Sequence, residues 1–427
     1  MIFFEIRRFF SMNSRNIFLS SMRLINAIIQ FFIVILNIRI LGLYDAGIVM
    51  SFYAVWVLGR TVGSWGYYWV IMRGSARGQG IMRGVMAASV RRVIFFNLVL
   101  GVAVVMLKCL LTDVITMGWV SIFIGWLGFS TLAVASLGLA VFLVLRHPVR
   151  AVSFELLGLP FVQFLPVAII VIFGIRLEVI YLVAIQTLFL VAMVLVWAYP
   201  LFKKIRLNSN SYTLPEYRET FALWVSDCGT NISLRLPLFL AQVYVGPTAA
   251  AVVGTVQQLG TAGGIFSWAA ITAAQARLAK AFSTGEISKI RSAMLSAVPF
   301  PLIMNFAIVV ILMLGGLGLF EKIYGINDPY FGPSILVLCA MAMAEGVFGI
   351  GVSGLNLSHR ERLSAFLSIA MVSSIALFSI VLFYLKISPI MSVSLSLSVI
   401  WTLRALISWI VCMAVPPYTP RENSGSP

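Results

Sequence analysis

Four arginines lie inside stretches that are otherwise long apolar runs: Arg23, Arg60, Arg235 and Arg404. A charged side chain at the centre of a bilayer costs roughly 2.5–3.5 kcal/mol on the insertion scale, so such residues face a cavity, a partner or the interface. Three of the four sit in polar stripes. Arg23, Asn26, Gln30 and Asn37 follow at steps of three, four and seven, which puts them on one helical face. Tyr53, Trp56, Arg60, Ser64 and Tyr67 form a second stripe, and Trp224, Asp227, Asn231, Arg235 and Gln242 a third. Gln258, Thr261 and Trp268 make a thinner fourth. A guanidinium is a planar fork of donors that matches phosphate or carboxylate. Aromatic faces suit sugar rings or lipid. These stripes predict a cationic, hydrated chamber that suits a large anionic amphiphile. The substrate-binding candidates are Arg23, Arg60, Arg235, Gln30, Asn231, Trp56 and Tyr67. Asn and Gln also hydrogen-bond membrane helices to one another, and that reading stays open for Asn26, Gln30, Asn231 and Gln258.

Carboxylates are scarcer. Asp227 and Glu345 lie within spans, and Glu155 near a span end. A carboxylate in the membrane can carry a proton or a sodium ion and couple movement to a gradient. It can equally neutralise a buried arginine. Arg235 follows Asp227 by two turns, about 12 Å along a helix, too far for a direct pair. The two histidines, His147 and His359, fall in short loops. No metal-ligand spacing, phosphate loop or nucleophile elbow is present, so neither an enzyme nor a cofactor is expected. The four cysteines stand singly in apolar segments, without disulfide or zinc spacing.

The elements that carry these residues are membrane spans. Of the 427 residues 61% are hydrophobic and 10% charged, and the mean hydropathy is +1.03. Soluble domains carry roughly 25% charged residues, so a water-facing surface is excluded. A span needs about 20 apolar residues. Twelve candidates occur, near 16–39, 45–71, 93–112, 114–144, 152–175, 179–201, 220–245, 248–273, 294–319, 333–357, 363–385 and 389–414. With the N-terminus inside, the inner segments hold 21 of the 30 Lys and Arg and the outer segments five. That asymmetry predicts a multi-pass protein with both termini cytoplasmic. It also accounts for the net charge of +16, and with no basic domain outside the membrane, nucleic acid is not an expected partner.

The expected fold is all-α integral membrane, about twelve transmembrane helices in two six-helix lobes around a central cavity. The lobes are 1–202 and 220–415, joined by a charged cytoplasmic connector at 203–219 and followed by a disordered tail at 416–427. The turns LGLYDAG (41–47) and VGPTAA (245–250) give the halves weak internal symmetry. Repeats of this kind place a substrate site at their interface.

Longer segments carry a family resemblance. RILGLYDAGIVMSFYAV (39–55) resembles the first external turn and second helix of the Wzx-like polysaccharide and O-antigen flippases. These belong to the multidrug/oligosaccharidyl-lipid/polysaccharide exporter (MOP) superfamily. LAQVYVGPTAAAVVGTVQQL (240–259) is similar to the matching turn of their second half, and GEISKIRSAM (285–294) and IYGINDPYFGPSILVL (323–338) also fit. The resemblance implies an alternating-access transporter in a bacterial inner membrane. Its implied substrate is an oligosaccharide repeat unit on a polyprenyl diphosphate, destined for exopolysaccharide, capsule or O-antigen. It further implies membrane lipids, a polysaccharide polymerase and chain-length proteins as partners. Arg23 and Arg60 match the family's habit of basic residues in the first two helices. The alternatives are a MATE-type cation/drug antiporter, disfavoured because helix one has no carboxylate, and a membrane-embedded glycan polymerase, disfavoured by short external loops.

Overall fold

The computed structural model describes residues 2–68, 71, 79–110, 118–144, 153–154, 158–174, 177–204, 217–284, 286–358 and 360–414, with side chains from Ile25 onward except at several helix ends and in part of 268–284. Among these residues all regular structure is helical. The helices are α1 (Ile2–Thr61), α2 (Gln79–Leu110), α3 (Trp119–Val144), α4 (Leu159–Phe173), α5 (Val179–Lys204), α6 (Tyr217–Tyr244) and α7 (Pro247–Gly260). There follow α8 (Gly264–Thr284), α9 (Ile287–Leu295), α10 (Pro299–Ile311), a π segment (Leu312–Gly316), α11 (Leu317–Tyr324), α12 (Phe331–Phe348), α13 (Ile350–Leu357), α14 (Glu361–Tyr384) and α15 (Pro389–Ala414). Eight stretches among the described residues are long and apolar enough to cross a membrane. Among the described residues, each of the twelve expected spans contains helix.

The chain divides into two compact units, residues 25–251 and residues 252–427 with 1–24. In the first, α1 is broken at Gly42, whose φ of 80° and ψ of 166° are not helical. A left-handed φ of this kind strains any residue with a Cβ, so this glycine ends the first span and begins the second. Beyond the break, the stretch 43–61 lies close against α3. A Cβ at Gly59 would run into the backbone of Phe129, and Trp56 fills the space left by Gly128. Small residues that let backbones approach are what drives helix association in lipid. On its other side the same stretch meets α6 and the start of α7. Ala54, Leu238 and Ala250 form one cluster, Gly47 abuts the Pro247 carbonyl, and Ser51 Oγ donates to Gln242 Oε1 at 3.2 Å. The α3 helix also packs on α2 and α5, and α5 on α4.

The second span does not run through to residue 71. The helix stops at Thr61, residues 62–66 turn, and Trp65 and Gly66 take φ of 52° and 75°. Carbonyls freed at such a break must be satisfied inside the membrane, and three side chains do so. Asn97 of α2, 3% exposed, donates to Gly63 O at 2.8 Å and to Val93 O at 2.7 Å. Trp224 Nε1 donates to Thr61 O at 3.1 Å, and Ser64 Oγ to the same carbonyl at 2.9 Å.

In the second unit α15 is the central helix, with α12, α13 and α14 packed along it. Serines 392, 394, 396 and 398 are all buried there. The α8 helix packs on α9, α10, α12 and α13. Here too an expected span, 248–273, is interrupted, at 261–263. A Cβ at Gly263 would collide with Asn305 of α10. Asn305 is 2% exposed and donates to Ser267 Oγ at 3.3 Å and Ala342 O at 3.2 Å. Each unit therefore has a helix interrupted at a glycine and a buried asparagine from a following span set against it.

Candidate functional site

The first unit gathers most of the polar residues singled out in the sequence. Tyr53 projects from 43–61 and is hydrogen-bonded to Gln30 of the same long helix, on the far side of the Gly42 break. Arg235 of α6 and Arg60 both lie near enough for their charges to act on the Tyr53 hydroxyl. Arg60 and Asp227 stand in the same relation to Tyr68. The result is a run of polar groups, Gln30, Tyr53, Arg235, Arg60, Tyr68 and Asp227, carried by two segments of α1, the turn after it, and α6. Tyr53, Arg60, Asp227 and Arg235 all keep partial exposure. Arg60 stands in the last turn of its helix, where the macrodipole favours a cation. Two guanidinium groups, two phenols and a carboxamide can hold an anion with several acceptor oxygens.

Other candidates go elsewhere. Trp56 is 2% exposed and belongs to the apolar core between 43–61, α3, α4 and α5. Tyr67 is 3% exposed, in a second core cluster, and its hydroxyl accepts a hydrogen bond from Arg92 Nη1 at 3.1 Å. Neither ring offers a face to an incoming molecule. Asn231 is spent partly within its own helix, donating to Asp227 O at 3.0 Å, the local back-bond such residues make. The side chains of Arg23 and Trp268, and residues Glu155, His147 and His359, lie outside the described residues.

Glu345 is in the second unit, on α12. It is partly buried and feels the charge of Arg404 on α15. Arg404 is 5% exposed; it donates to Ser368 Oγ at 2.8 Å and lies 3.9 Å from Met371 Sδ. The intramembrane cation that sequence spacing left least explained is thus held by α14 and lies near enough for its charge to act on Glu345.

Sequence reasoning missed Tyr68. Helical periodicity carried from Arg60 through Ser64 to Tyr67 assumes an unbroken helix. The turn at 62–66 resets the phase, so Tyr67 enters the core and Tyr68 comes near Arg60 and Asp227. Two glycines in TVGSWG (61–66) were the available signal. The same turn collects aromatics: Trp65 stacks on Trp224 at 5.4 Å between centroids and 18° between planes, and lies 5.3 Å from Phe96.

The architecture has counterparts among solved structures. An inward-facing multidrug resistance MATE family transporter of the MOP superfamily aligns with TM-score 0.68 and 14% identity, covering 92% of this chain and 93% of that one. An outward-facing MATE transporter of the same superfamily aligns with TM-score 0.65 and 16% identity, covering 93% and 94%. A MATE in complex with MaL6 gives 0.66 and 14% over the same shares. The fold is therefore that of the MATE transporters, all-α membrane proteins that have twelve transmembrane helices in two lobes. No protein-family model matches the chain, and no curated protein matches it.

Proposed function

We propose that this chain is a transporter that flips polyprenyl-diphosphate-linked oligosaccharide repeat units across the bacterial inner membrane by alternating access, serving surface polysaccharide biosynthesis. The observation that carries the reading is the convergence of Arg60 and Arg235 on Tyr53 inside membrane spans. A diphosphate must shed water to cross hydrocarbon, and forked donors replace that water. In this reading Arg60 and Arg235 hold the diphosphate or an acidic sugar, and Gln30, Tyr53 and Tyr68 supply neutral hydrogen bonds. Asn231 contributes with its remaining capacity, and Arg23 extends the cationic path along the first helix. Asp227 and Glu345 are the candidates for coupling to an ion gradient. Both termini face the cytoplasm, and 1–202 and 220–415 move as the two lobes about the connector at 203–219. The polymerase and chain-length proteins that use the product are its partners.

The likeness to multidrug MATE transporters favours a second reading, a cation/drug antiporter. Asp227 would then be the substrate-facing group and the arginines would be structural. One experiment separates the two. Purified protein is reconstituted in liposomes with a fluorescent polyprenyl diphosphate oligosaccharide, and movement to the opposite leaflet is followed. Transport is expected to fall by about tenfold or more in Arg60→Ala, the loss of a charge-assisted hydrogen bond in a poorly hydrated site. Arg60→Lys should recover part of it, because the charge remains and the fork does not. Undiminished transport by a folded Arg60→Ala protein would remove the arginine from the site. Uptake of organic cations that depends on Asp227, without lipid movement, would establish the antiporter instead.

A further inference from the structure

Between the C-terminal part of α8 and the short helix α9 the second unit carries an open groove of about 470 Å³, lined by Arg277, Ala281, Ser288, Lys289, Ser292 and Ser296 among others. The three serines follow at steps of four, so one side of α9 and the turn after it presents hydroxyls. Arg277 reaches in from α8. Ser296 Oγ already donates to Ala293 O at 2.8 Å. That leaves Arg277, Lys289, Ser288 and Ser292 as groups with protons to give. Lys289 meets Glu286 at 2.5 Å, but the two side chains are 59% and 49% exposed. A pair so well solvated is weak, and the ammonium can turn to a stronger anion. Arg291 is committed elsewhere, with Nε and Nη2 both on Met413 O at 3.2 Å, capping the end of α15. It adds positive potential without being a ligand.

The surroundings say what kind of anion fits. Leu295, between Ser292 and Ser296, is 51% exposed, and Phe300 and Ile303 at the start of α10 are exposed too. A polar, cationic groove thus adjoins apolar surface where a membrane span begins. This juxtaposition matches an amphiphile with a phosphate head rather than a free metabolite.

We propose that the groove binds the phosphate headgroup of a lipid in the leaflet against which α9 lies, with Arg277, Lys289, Ser288 and Ser292 as its donors and Leu295 and Phe300 against the acyl chain. The phosphate has two possible sources, an anionic phospholipid of the bulk membrane or the diphosphate head of a polyprenyl carrier. The site does not depend on the function proposed above, because it shares no residue with the Arg60 and Arg235 cluster.

The test is native mass spectrometry of the full chain, released from phosphatidylcholine vesicles doped with either phosphatidylglycerol or a polyprenyl diphosphate. Phosphatidylglycerol is expected to stay bound to the wild-type protein. Retention should drop by about tenfold in the Arg277→Ala/Lys289→Ala double variant, as expected for lost charge-assisted bonds. Ser292→Asp should lower it as well, by placing a negative charge in the groove, and serves as the second variant should the first be poorly folded. Glu286→Gln should raise it. Retention of the polyprenyl diphosphate alone, lost in the same variants, also supports the site and names the carrier as its source. Equal retention of both lipids by wild type and by folded variants overturns it. Lipid retention is read without any transport, so its failure leaves the chamber untouched, and a failed transport assay leaves the groove untouched.

Discussion

At the scale of single residues, a polar side chain inside an apolar span serves one of two ends, and its partners say which. Asn97 satisfies two backbone carbonyls and is 3% exposed. Replacing it with Leu leaves the Gly63 carbonyl buried and unpaired, which costs about 1–3 kcal/mol. A lower melting temperature in detergent is the expected result, and an unchanged one would mean that water reaches the break. Tyr53 is the contrasting case. Its hydroxyl sits among Gln30, Arg60 and Arg235, so on the proposed function Tyr53→Phe should slow transport several-fold while leaving the melting temperature nearly unchanged. Trp56→Ala should do the reverse in kind: a buried indole removed from a packed core costs about 3–5 kcal/mol, and activity is lost with the fold. Were Trp56→Ala stable and inactive, the ring would have to contact substrate.

At the scale of elements, the interruptions matter more than the helices. Gly42 and Gly246 both take left-handed φ, at 80° and 114°, each at the turn into the second helix of a proposed half. Both are open on the side where a Cβ would lie, so backbone strain alone resists substitution there. Gly42→Ala should cost about 1–2 kcal/mol, whereas Gly264→Ala, equally open but helical, should be neutral or slightly stabilising. Thermal melts of the two side by side test this. Interrupted helices beside charged groups are a recurring way to build intramembrane binding sites. The break at 62–66 follows Arg60 directly and is held by Trp224 of α6, one helical turn from Asp227. Helix break and candidate site are thus parts of one construction.

At the scale of the whole molecule, two units each close their own core, and each carries its own intramembrane charges. In the second, Glu345 and Arg404 interact across α12 and α15. Removing either alone strands the other in a poorly hydrated interior. The double variant Glu345→Gln/Arg404→Gln should therefore be more stable than the two single losses predict by addition, with a coupling of roughly 0.5–3 kcal/mol. Additive losses would show that the two side chains act independently, and would strengthen Glu345 as an ion-coupling group. The separation of charges has a functional corollary. Arg60, Arg235 and Asp227 belong to one unit and Glu345 to the other, so the proposed roles of Glu345 and of the Arg60 and Arg235 cluster can be probed by separate substitutions.

Amino-acid composition alone determined that this protein lives in a membrane, because 10% charged residues cannot clothe a surface in water. Apolar run length determined where the spans lie, since each must bridge the same hydrocarbon thickness. Spacing determined that Arg60, Arg235 and Gln30 lie on polar helix faces. Three things depended on tertiary structure. The glycine-marked turn at 62–66 changed the helical phase, which exchanged Tyr68 for Tyr67. The close approach of 43–61 to α3 at Gly59 and Gly128 drew Trp56 into the core, although its spacing put it in the polar stripe. Arg404 met a partner on another helix, the hydroxyl of Ser368 on α14. Periodicity describes one helix at a time, and these outcomes depend on which second helix comes close and where the first one stops.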